Sequence, residues 1–158
     1  MKLIVDTCTF LWLASAEEKL SATARALLED SGNILLLSAA SVWEIGVKHA
    51  LGRLPLPNNL TPAEFIPEAR LRNGVDALPI TEDDALQLGK LPTFHQDPFD
   101  RMLICQAIAN QAMLVTPDPL IARYPVSVQW SAARSWRNAP CHGISERVDA
   151  ACRGSGFD

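Results

Sequence analysis

Short unbroken apolar runs alternate along the chain with longer segments whose apolar positions recur at helical spacing. Lys2 to Val5, Ile34 to Leu37 and Met113 to Val115 are too short for buried helices and show no polar alternation, as strands covered on both faces do. Between them the punctuation predicts helices. One runs from Thr7 to about Ala14. A second, Ser21 to Glu29, begins with a capping serine and ends before Gly32. Ser38 caps a third that continues through Leu51 and is closed by Gly52, and a fourth is begun by Thr61 and Pro62 and ends near Gly74. A fifth is opened by Thr81-Glu82-Asp83-Asp84, with its acids in the first turn where the macrodipole favours them, and reaches about Lys90. The sixth spans Pro98 to Gln111. Arg53 to Asn59 is proline-punctuated and reads as a connector, Ala77 to Ile80 as a brief extended piece, Leu120 to Arg123 as a short helix and Val126 to Val128 as a last strand.

Strands alternating with helices predict an α/β fold with a central parallel sheet flanked by helices. After Trp130 the pattern changes. Residues 131–158 hold four arginines and three glycines but hardly any periodic apolar spacing, so the expected division is a globular domain over 1–130 and a loose, flexible C-terminal tail over 131–158.

Composition narrows the class. A chain of 158 residues that is 48% hydrophobic and 20% charged can bury one real core. The net charge of −4 gives no long-range attraction to nucleic acid. A polyanionic substrate would need a local positive source, such as a metal ion together with Lys48, Arg53, Arg101 and Arg123. Cys8, Cys105, Cys141 and Cys152 form no CxxC pair and, with the three histidines, no zinc spacing. Cys8 and Cys105 sit in apolar segments, where cysteine acts as a small hydrophobe, and nothing in the spacing suggests a disulfide scaffold. Asp6 interrupts the N-terminal apolar stretch, so no secretory signal is expected, and no apolar run reaches membrane-span length. A cytoplasmic protein is the expectation.

Four acids share one local context. Asp6 follows Leu3-Ile4-Val5, Glu44 lies in Ser41-Val42-Trp43-Glu44-Ile45, Asp100 closes His95-Gln96-Asp97-Pro98-Phe99-Asp100, and Asp118 follows Met113-Leu114-Val115-Thr116-Pro117. Each stands where an apolar run meets a helix, or early in the helix. In open α/β sheets ligand sites form at the carboxyl ends of strands, so acids placed there can converge although the chain separates them. Carboxylates about 4 Å apart repel by roughly 4 kcal/mol at an effective dielectric near 20, so a cluster calls for shared protons or a cation. Hard oxygen donors favour Mg²⁺ or Mn²⁺.

Each acid also has a purely structural explanation. Asp6 can cap the helix that starts at Thr7, and Asp118 the one beginning at Pro119. Glu44 can pair with Lys48 four residues on. Pro98 makes Asp97 the N-cap and puts Asp100 in the first turn, where peptide dipoles stabilise a carboxylate with or without a metal. For Lys48 and Arg101 a solvated salt bridge competes with steering of a nucleic-acid strand. For Trp12 and Trp43 core packing outweighs base stacking.

Taken together, Val5-Asp6-Thr7-Cys8-Thr9-Phe10-Leu11-Trp12-Leu13, Ser38-Ala39-Ala40-Ser41-Val42-Trp43-Glu44-Ile45, His95-Gln96-Asp97-Pro98-Phe99-Asp100-Arg101-Met102-Leu103-Ile104 and Leu114-Val115-Thr116-Pro117-Asp118-Pro119 resemble the PIN-domain ribonucleases of the VapC toxin type. The likeness runs from about Lys2 to Trp130. It implies a PIN-like fold and a Mg²⁺- or Mn²⁺-dependent endoribonuclease of a type II toxin-antitoxin system. The substrate would be RNA, a cognate antitoxin would silence the activity, and the expected assembly is a homodimer. Asp6, Glu44, Asp100 and Asp118 match the family's acidic quartet, and Thr116 matches the small hydroxyl residue beside the last acid. Asp6 and Asp100 are the first choice for direct metal ligands, with Glu44 and Asp118 holding waters or a second ion. Two positions depart from the pattern: Cys8 stands where the family often has histidine, and Pro117 where it commonly has a basic residue.

The implied chemistry is hydrolysis by a metal-activated water attacking a phosphodiester in line, with no protein nucleophile. Phosphate-cradling glycine motifs and a nucleophile elbow are absent, and a phosphohydrolase using Asp6 as nucleophile would meet Cys8, not a second acid, two residues on. The rival from another class is a non-catalytic PIN-like module that acts by binding a protein partner.

Overall fold

A computed structural model describes residues 1–130; the tail expected over 131–158 lies outside the described residues. Five strands make one parallel sheet: β1 (Lys2–Val5), β2 (Ile34–Ser38), β3 (Val75–Leu78), β4 (Met113–Val115) and β5 (Ser127–Gln129), in the order β3-β2-β1-β4-β5. Register places Leu3 opposite Leu35 on one side and Met113 on the other. The chain builds outward from β1 through β2 to β3, then returns to the opposite side of β1 for β4 and β5. That reversal creates a crevice at the carboxyl ends of β1 and β4.

Six helices connect the strands: α1 (Thr7–Ser15), α2 (Ala22–Glu29), α3 (Ala39–Ala50), α4 (Pro62–Asn73), α5 (Glu82–Gln87) and α6 (Pro98–Asn110). Their starts follow local chemistry. Ser21 and Ser38 accept backbone N–H bonds from Ala24 and Ala40, and the capping box of α4 pairs Thr61 with Glu64. Gly52 and Gly74 hold φ of 67° and 62° just beyond α3 and α4, a left-handed conformation that disfavours other side chains.

Because side chains alternate along each strand, the apolar runs feed two cores. Leu3, Val5, Leu35, Leu37 and Val115 face Phe10, Ile45, Phe65 and Ile66 of α1, α3 and α4. Ile4, Leu36 and Leu114 face Leu103, Ile104 and Ala107 of α6. This two-sided burial explains why the strands read as unbroken apolar runs. Phe10, Leu3, Ile4, Ile104 and Leu114 are fully buried, and truncating one such side chain to alanine costs about 2–5 kcal/mol.

The expected boundaries hold closely, with the last strand one residue later than expected, at Ser127–Gln129 and not Val126 to Val128, and three larger differences in place or kind. The third strand is Val75–Leu78, two residues earlier than Ala77 to Ile80, because the left-handed Gly74 turns the chain directly into the sheet. The helix expected to reach Lys90 is α-helical only to Gln87 and tightens to a 3₁₀ turn over Leu88–Lys90. Leu120 to Arg123 is likewise a single 3₁₀ turn, Ile121–Arg123. Cys105 is a buried free thiol in α6, and Cys8 is buried in the first turn of α1. Among the described residues no helix is long and apolar enough to cross a membrane.

Candidate active site

Asp6 leaves β1 and caps α1. Its Oδ1 accepts the Thr9 N–H at 2.6 Å, which is the capping role open to it from sequence. Its other oxygen does something capping does not require: Oδ2 accepts the Thr116 hydroxyl at 2.6 Å from the far side of the crevice. The Thr116 oxygen in turn accepts the Asp118 N–H at 3.1 Å. One threonine therefore ties the end of β1 to the loop after β4.

Glu44 reaches the same crevice from α3. It is buried, with one oxygen receiving the Thr7 hydroxyl and the other 2.5 Å from Lys48 Nζ. The i,i+4 pair with Lys48 exists, but the face carrying it is turned inward.

Asp97 is the N-cap of α6, taking the Phe99 N–H at 2.8 Å and the Asp100 N–H at 3.4 Å. That leaves Asp100 in the first turn, as the position of Pro98 requires. The Asp100 carboxylate points outward from α6 toward Asp118, and between them lies His95. Its Nε2 is 2.9 Å from Asp118 Oδ2 and 3.3 Å from Asp100 Oδ2. Asp118 Oδ1 accepts the Leu120 N–H at 2.8 Å, so this acid also closes a turn, as its place before Pro119 allows. Polar atoms of His95, Asp100 and Asp118 lie within 4.8 Å of one another.

Asp100 and Asp118 close around His95, while Asp6 and Glu44 lie outside that group, Asp6 tied to it through Thr116 and the Asp118 N–H and Glu44 bonded to Thr7 beside Asp6. The electrostatics agree. Burial raises the Asp6 carboxyl to about 6, against the lowering effect of its threonine hydrogen bonds, and the charge of Glu44 adds to the rise. Asp100 is pushed well above the usual carboxylate range by burial and by Asp97, with Glu44 and Asp6 adding to the effect. At Asp118 burial works upward too, but the hydrogen bond and charge of His95 prevail and the net shift is down. His95 is shifted up, chiefly by its hydrogen bond with Asp118. Two carboxylates that resist ionisation beside two others are what a cation would relieve, and a hard oxygen donor set fits Mg²⁺ or Mn²⁺.

Residues 3–126 match the PIN domain family model. The chain belongs to the PIN domain family. A stretch of 56 residues is 41% identical to Ribonuclease VapC16 of Mycobacterium tuberculosis (strain ATCC 25618 / H37Rv), covering 35% of this chain and 38% of that relative. Among solved structures, the PIN domain resembles a chain of VapBC2 from Rickettsia felis, crystallised with a DNA fragment from its promoter. The TM-score is 0.60 at 15% identity, over 83% of this chain and 100% of that one. It also resembles a chain of VapBC-1 from nontypeable Haemophilus influenzae, with a TM-score of 0.55 at 19% identity, over 82% and 97% of the two chains. At such identities the likeness speaks for the fold.

Several expectations about charges and aromatics change. Arg101 does not face the crevice: its guanidinium donates to the carbonyls of Leu88, Leu91, Pro92 and His95. Arg123 lies over the Phe94 ring, 4.4 Å from its centroid. Arg53 is exposed. Trp12 packs against the core and Trp130, whereas Trp43 is 62% exposed and meets Phe99 edge-on. Adjacent residues on a helix point different ways, so with Glu44 turned inward Trp43 is turned out.

Sequence reasoning assigned no role to Thr7, Thr9, Tyr124 or His95. The first two carried a signal, being polar residues inside an otherwise apolar helical start. Both are buried; Thr9 Oγ1 also donates to the Val115 carbonyl at 2.9 Å.

Proposed function

We propose that this PIN domain is a metal-dependent endoribonuclease of the toxin type, hydrolysing RNA phosphodiesters with Mg²⁺ or Mn²⁺ and held in check by a cognate protein antitoxin. The observation that carries the reading is the convergence of Asp6, Glu44, Asp100 and Asp118 from four separated segments, with Asp6 and Asp100 both shifted toward the protonated form. The partial likeness to a ribonuclease and the fold shared with toxin-antitoxin complexes support the substrate class and the partner.

Asp6 and Asp100 are the residues to hold the ion directly, one at the end of β1 and one in the first turn of α6. When bound, the ion supplies Lewis acidity that activates water and neutralises charge growing on the phosphate. The protein's part is placement. Thr116 keeps the Asp6 carboxylate aimed across the crevice and, through the Asp118 N–H, sets the position of the fourth acid. Thr7 and Lys48 hold Glu44 in its inward orientation. Among the described residues no side chain is placed as a covalent nucleophile, so attack by water is the economical route.

The test is cleavage of a structured RNA by the purified full chain, with Mn²⁺, with excess chelator, and with Asp100→Asn. Cleavage that needs Mn²⁺ and falls about a hundred- to a thousandfold in the variant is expected, the usual cost of removing one electrostatic partner of a transition state. Full activity in chelator would end the metal reading. Tight binding of a protein partner without cleavage of any RNA would favour the non-catalytic module instead.

A further inference from the structure

His95 sits at the centre of the outer half of the site, and its surroundings hold it with unusual completeness. Its backbone N–H donates to the Tyr124 hydroxyl at 2.8 Å, and that hydroxyl donates to the Pro92 carbonyl at 3.0 Å. Its carbonyl and that of Pro92 accept from Arg101. Its ring is bound at both nitrogens: the Asp97 N–H donates to Nδ1 at 3.1 Å, and Nε2 faces Asp118 Oδ2 at 2.9 Å and Asp100 Oδ2 at 3.3 Å.

The first of these ring contacts decides what the imidazole can do. A nitrogen that accepts an N–H carries no proton, so the proton of the neutral ring is on Nε2, donated to Asp118 with Asp100 Oδ2 3.3 Å away. A metal ligand needs a lone pair, and here the Nδ1 lone pair is taken while Nε2 carries hydrogen. The geometry therefore suits donation to Asp118 and not coordination, although Nε2 lies close enough to Asp100 and Asp118 to resemble a third ligand.

We infer that His95 is a positioning residue that holds Asp118 beside Asp100 through the Nε2–H bond to Asp118, while Asp97, Arg101 and Tyr124 hold His95. This rests on the metal-dependent reading of the site. It assigns one purpose to the His95-Gln96-Asp97-Pro98-Phe99-Asp100 segment: Asp97 caps α6 with its side chain and orients the imidazole with its N–H, so the helix start and the carboxylate clamp are built together. Hydrogen bonds that orient ligating carboxylates are typically worth 10- to 100-fold in metal affinity.

The experiment titrates Mn²⁺ into the full chain, following free Mn²⁺ by electron paramagnetic resonance, for the unaltered protein, His95→Gln and His95→Ala. Glutamine keeps an N–H donor but supplies no imidazole nitrogen. The expected result is Mn²⁺ affinity within about threefold of the unaltered protein for His95→Gln and a loss of about 10- to 100-fold for His95→Ala. Pulsed measurements on the unaltered protein should show no directly coordinated ¹⁴N. Two results would overturn the inference while leaving the metal site standing: a coordinated ¹⁴N that disappears in both variants, or full affinity in His95→Ala. If the unaltered protein binds no Mn²⁺ at all, the metal reading fails and the inference goes with it.

Discussion

The two halves of the crevice solve the same problem differently. The inner half, Asp6 and Glu44, is buried, and its carboxylates are held by hydroxyls, a backbone N–H and one lysine. The outer half, Asp100 and Asp118, keeps 25% and 31% of its side chains exposed and is bridged by an imidazole. Depth explains the contrast. A buried carboxylate must have its lone pairs satisfied without much mobility, and threonines from adjacent turns provide that at fixed geometry. Near the mouth water shares the task, so a single histidine suffices to set the spacing. Electrostatic strain is shared between the halves, since burial pushes both Asp6 and Asp100 toward the protonated form, and the more exposed outer half is the part open to adjustment by a substrate or an ion.

The largest expected effect tests the inner half's share of that strain. In the unfolded chain Asp6 titrates near 3.8, in the folded protein near 6. The folded state holds that proton more tightly, so the stabilising contribution is complete below the lower value and is lost as pH rises through the upper one. The shift corresponds to about 3 kcal/mol. Denaturation of metal-free protein should thus show Asp6→Asn gaining about 2 kcal/mol relative to the unaltered chain between pH 4 and pH 8. A difference between the two proteins that does not change with pH would mean that Asp6 is not strained. Asp100 is shifted in the same direction, so part of the slope should persist in the variant.

Thr116 joins the halves, and cutting it should separate them. Thr116→Val removes the donor to Asp6 Oδ2 and the acceptor of the Asp118 N–H while keeping the shape. Mn²⁺ affinity, followed by calorimetry, is expected to fall by about 10- to 100-fold. Unchanged affinity would show the two halves to be independent.

The smallest effect belongs to the frame around the outer half. Asp97→Ala takes the cap from α6 and should cost about 1 kcal/mol in unfolding free energy. Its backbone N–H remains to orient His95, so metal affinity should change much less than in His95→Ala. An equal loss in both would make the helix start, and not the imidazole, the element that spaces the acids.

Much of this molecule was legible in its sequence because the legible parts are local. Apolar runs without alternation announced a parallel sheet buried on both faces, and Ser21, Ser38, Thr61 and Pro98 marked helix starts that the structure keeps within a residue. Asp97 as cap and Asp100 in the first turn followed from the stereochemistry of Pro98 alone. The strand at Val75–Leu78 was misplaced because the Ala77 to Ile80 stretch has the stronger apolar character, while the choice of partner for β2 was made by the turn at Gly74.

The sequence by itself determined which residues begin helices, which run as strands, and that four acids stand at the junctions between them, since these depend on neighbours a few positions away. Only the tertiary structure decided that the reversal of strand order between β1 and β4 brings those junctions to one crevice. It also turned Glu44 inward and Trp43 outward, committed Arg101 and Arg123 to the loop and its aromatic ring, and placed His95 between two acids. Such choices depend on contacts between segments as much as 110 residues apart, as for Thr116 and Asp6, and no local pattern encodes the distance or direction at which two distant side chains meet.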